Sequence, residues 1–315
     1  MVNHDFLTFG PVPSRRLGRS LGINNIPPKV CSYSCIYCQL GRTSNMQAQR
    51  KVFYNSYALL KSAETKVKDA KNKGEQIDYF TFVPDGEPTL DVNLAKVIKL
   101  LRPLKVKIAV ISNASLIWQK DVRDDLCEAD WVSLKIDAVS EDIWRRINRP
   151  YGTLQQDKIR EGIEEFSRIF TGKLATETML IKGVNDATEE LEKIARFIAG
   201  LKNVKSYISI PTRPPAEKWA KSADEHAINR AYQAFKEKSI DTEYLIGYEG
   251  NAFSFTGNIA EDLLSITSVH PMRKEAVDQF LKKANGHWTI IDKLITEDKM
   301  IEIEYKGNRF YMRKI

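Results

Sequence analysis

Between about residues 56 and 240 the chain alternates short apolar runs with longer amphipathic stretches. Ile77–Val83, Val106–Ile111, Trp131–Ile136, Leu174–Ile181 and Val204–Ile210 are brief and rich in β-branched and aromatic residues, and they read as buried strands. Helical spacing fills the intervals near 56–73, 91–102, 119–128, 140–148, 154–170 and 187–199. The last is the sharpest: Asp186 caps it, Glu189 follows, Leu191, Ile194, Ala195 and Ile198 form one stripe, and Gly200 ends it. An earlier strand near Arg19–Ile26 makes six. Strands separated by helices predict parallel βαβ units with right-handed crossovers. Six units are too few to close an eight-fold barrel. The expected fold is therefore α/β, a partial (β/α)6 TIM-like barrel, with a flat doubly wound sheet as the competitor. Either arrangement gathers its chemistry at the carboxyl ends of the strands.

After residue 240 the pattern changes. Tyr244–Tyr248 reads as a strand and Gly250-Asn251-Ala252 as a turn. Met272–Ala284 and Thr289–Thr296 then read as helices, and Met300–Tyr305 and Arg309–Arg313 as strands joined at Lys306-Gly307-Asn308. Two helices before a hairpin is a winged-helix-like order. The expected division is a barrel over 1–240 and a small C-terminal accessory domain over 241–315, winged-helix-like from about 263.

Composition narrows the class. Of 315 residues 43% are hydrophobic, enough for a large core. No apolar run reaches the roughly 18 residues of a membrane span. The opening Met1–Asp5 lacks the basic start and apolar stretch of a signal peptide. Four cysteines in so long a chain are no disulfide framework, so the expected setting is cytoplasmic and reducing. The formal charge is +7, and nearly all of the excess lies in residues 1–52, where seven basic residues face Asp5 alone. A basic segment there either steers an anionic substrate and offsets thiolate charge, or forms a solvated rim.

That segment also holds the chemistry. Cys31, Cys35 and Cys38 make a C-x3-C-x2-C spacing, with Tyr37 before the last cysteine. Neither helix nor strand periodicity aligns three thiols in eight residues, so they converge only from an irregular loop, which Pro27, Pro28 and Gly41 suit. A [4Fe–4S] cluster held by three thiolates keeps one iron open, where chemistry can occur. Structural zinc is the alternative, and it wants four closed ligands; Cys127 falls in an expected helix and His4 is remote.

Cys31, Cys35, Tyr37 and Cys38 resemble the signature of the radical S-adenosylmethionine superfamily. The resemblance implies that the open iron chelates S-adenosylmethionine and that an electron from the cluster generates a 5′-deoxyadenosyl radical. That radical abstracts hydrogen from a substrate, and a flavodoxin or ferredoxin is the expected reductant. Asp85-Gly86-Glu87-Pro88 resembles the superfamily's Gly-Gly-Glu element, with Asp85 in place of the first glycine, and implies contact with the ammonium group of the methionine moiety. Ser112 and Asn113 end the third strand. Lys135 and Asp137 share one face of the fourth, as cofactor contacts or as a structural pair, and Glu177 interrupts the fifth. Arg15, Arg16 and Arg213 are candidate substrate contacts.

Gly10–Gly22, the cysteine loop, Gly86–Leu90, Ile147-Asn148-Arg149-Pro150, Val184-Asn185-Asp186, Thr212–Pro215 and the stretch from His270-Pro271 are similar to the wyosine-synthetase-like group of that superfamily. True wyosine synthases carry extra cysteines for a second cluster, and here only Cys127 is spare. The expected function is a single-cluster radical enzyme acting on RNA or a protein side chain. The competing readings are an activase of glycyl-radical enzymes and a non-catalytic nucleic-acid-binding protein with a structural metal loop.

Overall fold

A computed structural model describes residues 7–246, 258–268 and 270–314. The chain opens with a hairpin of β1 (Thr8–Ser14) and β2 (Gly18–Ile23), followed by a short parallel pair, β3 (Val30–Cys31) and β4 (Asn45–Met46), which brackets the cysteine loop. From there strands and helices alternate: α1 (Ser56–Asn72), β5 (Tyr79–Phe82), α2 (Leu94–Leu101), β6 (Lys107–Ser112), α3 (Lys120–Leu126) and β7 (Trp131–Lys135). Then come α4 (Glu141–Asn148), α5 (Gln156–Ile169), β8 (Lys173–Met179), α6 (Thr188–Ala199), β9 (Val204–Ser209), α7 (Glu225–Glu237) and β10 (Asp241–Leu245). The main sheet has the order β1-β2-β5-β6-β7-β8-β9-β10, and every neighbouring pair beyond β1–β2 is parallel.

All six expected strands and all six expected helices are present, with bounds moved by a few residues at most places. In the main sheet β1 lies outside the expected set, and β10 is the strand expected over Tyr244–Tyr248, begun three residues earlier. The short β3 and β4, a further short strand at Met272–Arg273, the helix α7 and a helix over Ile259–Thr267 were not expected. The antiparallel β1 was hidden because Gly10, Pro11 and Pro13 break its strand pattern. At the other edge β10 ends at Leu245, and Tyr248 and Gly250–Ala252 lie outside the described residues. One cap differs from expectation. Asp186 does not cap α6, whose N-cap is Ala187 without a side-chain bond; the Asp186 carboxylate instead accepts from Gly183 N at 2.8 Å.

The sheet curls. In sheet order β8 lies four strands from β2, about 19 Å across a flat sheet at 4.8 Å per strand. Yet Arg16, in the β1–β2 turn, pairs with Glu177 of β8. The Arg16 guanidinium also lies over Trp131 of β7 and Tyr207 of β9, at 5.6 and 5.7 Å from their ring centres. Leu17 beside it packs with Ala109, Trp131, Ala175, Tyr207 and Leu245, one residue from each strand from β6 to β10. Both contacts require a concave sheet with the hairpin tip in its lumen, which excludes the flat alternative. The convex side carries the main core, in which Phe80, Phe82, Leu59, Val97, Ile163, Phe166, Ile194 and Phe235 join strands to helices.

The C-terminal stretch contains α8 (Ile259–Thr267), β11 (Met272–Arg273), α9 (Lys274–Lys283), α10 (Thr289–Thr296), β12 (Met300–Tyr305) and β13 (Asn308–Arg313), with sheet order β11-β13-β12. Lys306 and Gly307 both have positive φ, the two-residue hairpin turn whose twist matches its strands. The core here includes Leu263, Ile266, Phe280, Ile291, Met300 and Tyr311, and also Phe9 and Val12 of β1. Phe9 lies over Gly22 on the paired strand, where an added Cβ would sit 2.0 Å from the ring. β1 thus joins the main sheet by its backbone and the C-terminal core by its side chains. Phe9→Ala is expected to cost about 3–5 kcal/mol as a core truncation, read as a fall in the urea midpoint. A loss below about 1 kcal/mol would show that the C-terminal core does not lean on β1.

Candidate active site

The cysteine loop is held by its neighbours, because it has no ladder of its own. Ser34 N donates to Asn148 O at 3.1 Å and Ile36 N to Ile147 O at 3.0 Å, which ties the loop to the end of α4. Tyr33 bridges Pro150, and Ile36 is fully buried in the main core. Tight turns follow, with Cys38 N donating to Cys35 O and Gly41 N to Cys38 O, each at 3.1 Å. On the other flank Glu87 N donates to Val30 O at 3.1 Å. Gly86 has φ +154°, and a Cβ there would sit 1.9 Å from the Val30 carbonyl oxygen. Only glycine lets the 84–88 turn pass so close behind Cys31.

The three thiols share the wall of a cavity of about 300 Å³ at the carboxyl ends of the strands, together with Tyr37, Gly86, Lys135 and Glu177. Arg15, Arg16 and Arg213 also line it. None of the three cysteines is in a disulfide. Burial pushes all three thiols up, Cys35 to about 12, while Lys29 and Lys135 pull Cys38 the other way. Such thiols keep their protons at neutral pH until a metal displaces them. Three thiols on one wall, with no fourth cysteine and no histidine in the lining among the described residues and with Asp85 and Glu177 paired to Lys29, Lys135 and Arg16, suit a four-iron cluster with one open iron better than a closed tetrahedral zinc site.

Glu87, Pro88, Ser112, Asn113 and Asp137 are not in the cavity wall but stand behind it. The Glu87 carboxylate, 1% exposed, accepts from Thr89 Oγ1 at 2.6 Å, Ser112 Oγ at 2.7 Å and Asn113 N at 2.7 Å. Burial keeps its pKa above the usual range despite those bonds. Asp137 accepts from Tyr37 Oη, from Asn148 Nδ2 at 2.8 Å and from Met179 N at 2.8 Å. Asp137 therefore braces the loop directly through Tyr37, whereas the Glu87 carboxylate ties the 87–89 turn to the end of β6.

Lys135 is paired. Its ammonium lies 3.2 Å from Glu177 Oε1 and 3.6 Å from Asp137 Oδ1, and 5.0 Å from the centre of the Tyr37 ring. Glu177 also takes Arg16 and, at 3.0 Å, Ser209 Oγ. Burial pulls Lys135 down and pushes Glu177 up, but the mutual charges and Arg16 outweigh it. Lys135 is raised and Glu177 held well below the carboxylate range. At working pH both are charged. Arg213 is buried, donating to Gln39 Oε1 at 2.9 Å and meeting His270 Nε2 at 2.8 Å, so it joins the mouth of the cavity to the C-terminal stretch. Arg42 and Arg149 both reach Glu217, at 2.9 and 2.5 Å. Sequence reasoning gave Asn148 and His270 only as members of resembling segments, without a role, and did not single out Gln39 or Glu217 as site residues, since no local periodicity marks a residue that acts across elements.

A parallel strand–helix barrel with a three-cysteine loop beyond its second strand defines a class, and the comparisons agree with it. The Radical SAM superfamily description matches residues 25–198, and the chain belongs to that superfamily of enzymes, which use a [4Fe–4S] cluster and S-adenosylmethionine. Among its relatives, a UPF0026 protein of Methanocaldococcus jannaschii is 47% identical over 311 residues, 98% of this chain and 96% of that protein. A UPF0026 protein of Helicobacter pylori strain J99 is 36% identical over 225 residues, covering 70% and 71%. A radical SAM methyltransferase structure from Sphaerobacter thermophilus shares the fold at 16% identity and TM-score 0.53, over 72% of this chain and 66% of that one.

Gly86→Ala is expected to cost at least about 1–3 kcal/mol as an overpacked position, and to speed alkylation of Cys31, Cys35 and Cys38 as the turn backs away. Unchanged alkylation would show that the turn does not support the loop. Glu177→Gln leaves Lys135 and Arg16 short of their shared acid and is expected to cost about 3–5 kcal/mol at pH 7. Because the folded carboxyl has a depressed pKa, its contribution is full above the unfolded value of about 4.3 and drains away as the pH falls toward the folded one. The gap in urea midpoint between wild type and Glu177→Gln should therefore hold from pH 7 to 5 and narrow below about 4. A gap that stays constant down to pH 3 would contradict the ion-pair account.

Proposed function

We propose that Cys31, Cys35 and Cys38 hold three irons of a [4Fe–4S] cluster, and that the enzyme uses it to start a radical reaction on RNA or a protein side chain. The observation that carries this reading is the convergence of three unpaired thiols on one cavity at the strand ends. A cluster held there and reduced by a flavodoxin or ferredoxin would supply the electron for cleavage of the sulfur–C5′ bond of S-adenosylmethionine, and so a 5′-deoxyadenosyl radical for hydrogen abstraction.

The chain's own residues position and shield. Backbone groups of the 84–88 turn, with Gly86 in the wall, offer the methionine moiety's ammonium group a polar edge. Tyr37, fixed by Asp137 and by Lys135 over its ring, closes one side of the cavity. Arg15, Arg16, Lys29, Lys135 and Arg213 face Asp85 and Glu177 in the lining, an excess of cations that suits a substrate with an anionic group beside the reacting C–H bond. Glu177 and Lys135, both charged and mutually satisfied, are poor proton-transfer groups, consistent with hydrogen-atom rather than proton abstraction.

Anaerobic reconstitution with iron and sulfide is expected to load about four irons per chain. Dithionite and S-adenosylmethionine should then release 5′-deoxyadenosine slowly, and Cys35→Ala should abolish both. A colourless protein that holds zinc, yields no 5′-deoxyadenosine and binds RNA in a salt-sensitive way would instead establish a binding protein with a structural metal loop.

A further inference from the structure

We infer that Asn113 and Asn148 each aim an amide N–H at a cysteine sulfur, Cys31 and Cys35, and so set the reduction potential of the cluster. The inference rests on the reading of the three cysteines given above.

An asparagine amide presents an oxygen and a nitrogen of similar shape, so its neighbours decide which end points where. Asn148 has one outcome. Asp137 Oδ2 lies 2.8 Å from its amide, and a carboxylate only accepts, so the nitrogen faces it. That nitrogen's second N–H then faces Cys35 Sγ at 3.5 Å and Tyr37 Oη at 3.4 Å, beside each other at the loop. Asp137 cannot turn away, since Tyr37 Oη and Met179 N hold its two oxygens. Asn148 is 2% exposed, which leaves little room for water to supply the donor in its place. Asn113 is fixed from the opposite end. Its Oδ1 accepts from Ser115 N at 2.9 Å, so its nitrogen faces the loop, donating to Ser32 Oγ at 2.9 Å and standing 3.5 Å from Cys31 Sγ.

The two donors come from different elements, the end of β6 and the end of α4, and approach the loop on different cysteines. Adding an electron to an iron–sulfur cluster places negative charge partly on its sulfurs, and an N–H directed at a sulfur stabilises the reduced form more than the oxidised one. Each asparagine therefore eases reduction of the cluster. Both are positioning residues: they touch the ligand sulfurs and not the substrate.

The test is a redox titration of reconstituted holoprotein followed by electron paramagnetic resonance, on wild type, Asn113→Leu and Asn148→Leu. Leucine keeps the volume and removes the donor. Each variant should keep its iron and become at least tenfold harder to reduce, a shift of about 59 mV to lower potential for one electron. The double variant should shift further. Unchanged potentials in iron-loaded variants would overturn the inference and leave the proposed function standing. So would loss of the cluster from both, which would mark the asparagines as needed for folding the loop. If only one variant loses its cluster, the other decides. A wild-type chain that takes up no iron would sink the reading of the cysteines and this inference together.

Discussion

Three cysteine thiols from eight consecutive residues line one cavity, and no repeating backbone conformation brings them there. The rest of the site follows from this constraint. An irregular loop leaves peptide groups unpaired, and buried peptide groups need partners. The partners here are the last carbonyls of α4, the Val30–Gly86 bridge and the turns after Cys35 and Cys38. Helix α4 thus ends where the loop needs acceptors, and Arg149 leaves it in a left-handed conformation that sends Pro150 back to Tyr33. Gly86 is glycine for the same reason: the supporting turn passes closer to the loop than any side chain allows.

Inside the curled sheet a second requirement operates. Charged groups in a barrel lumen are costly unless paired, and this lumen holds Arg16, Lys135, Glu177 and Asp137 in one connected set. Two cations share one acid, and that acid also takes a hydroxyl. The arrangement fixes Lys135 over Tyr37 and keeps the hairpin tip inside the barrel, so the basic opening segment contributes to architecture as well as to charge.

Much of this was legible in the sequence, and the reasons differ by residue. The parallel strands and their helices announce themselves because buried strands are continuous apolar runs and surface helices carry a stripe. The cysteines are legible because their spacing admits few structures. Lys135 and Glu177 show up as charges where apolar residues belong, although their roles depend on their pairing across neighbouring strands and on Arg16, which reaches Glu177 from four strands away. Asn148 and His270 lie in segments that the resemblance marks, but their roles, like Gln39 altogether, were not legible, since the bonds from Asn148 to Cys35 and from Arg213 to Gln39 and His270 span 57 to 174 residues of sequence and leave no local pattern. The strand β1 was obscured by its own prolines and glycine.

That first strand has a consequence for how the protein is made. Phe9 and Val12 leave the ribosome well before their packing partners between Leu263 and Tyr311. Until then an apolar surface on β1 stays uncovered and the hairpin that carries Arg16 has support on one side only. Contacts of such long sequence separation form slowly and expose the chain to misassembly while they wait. A chain made in this order leaves the hairpin whose tip shares a cavity with the three cysteines without its second support until α8 has closed on β1.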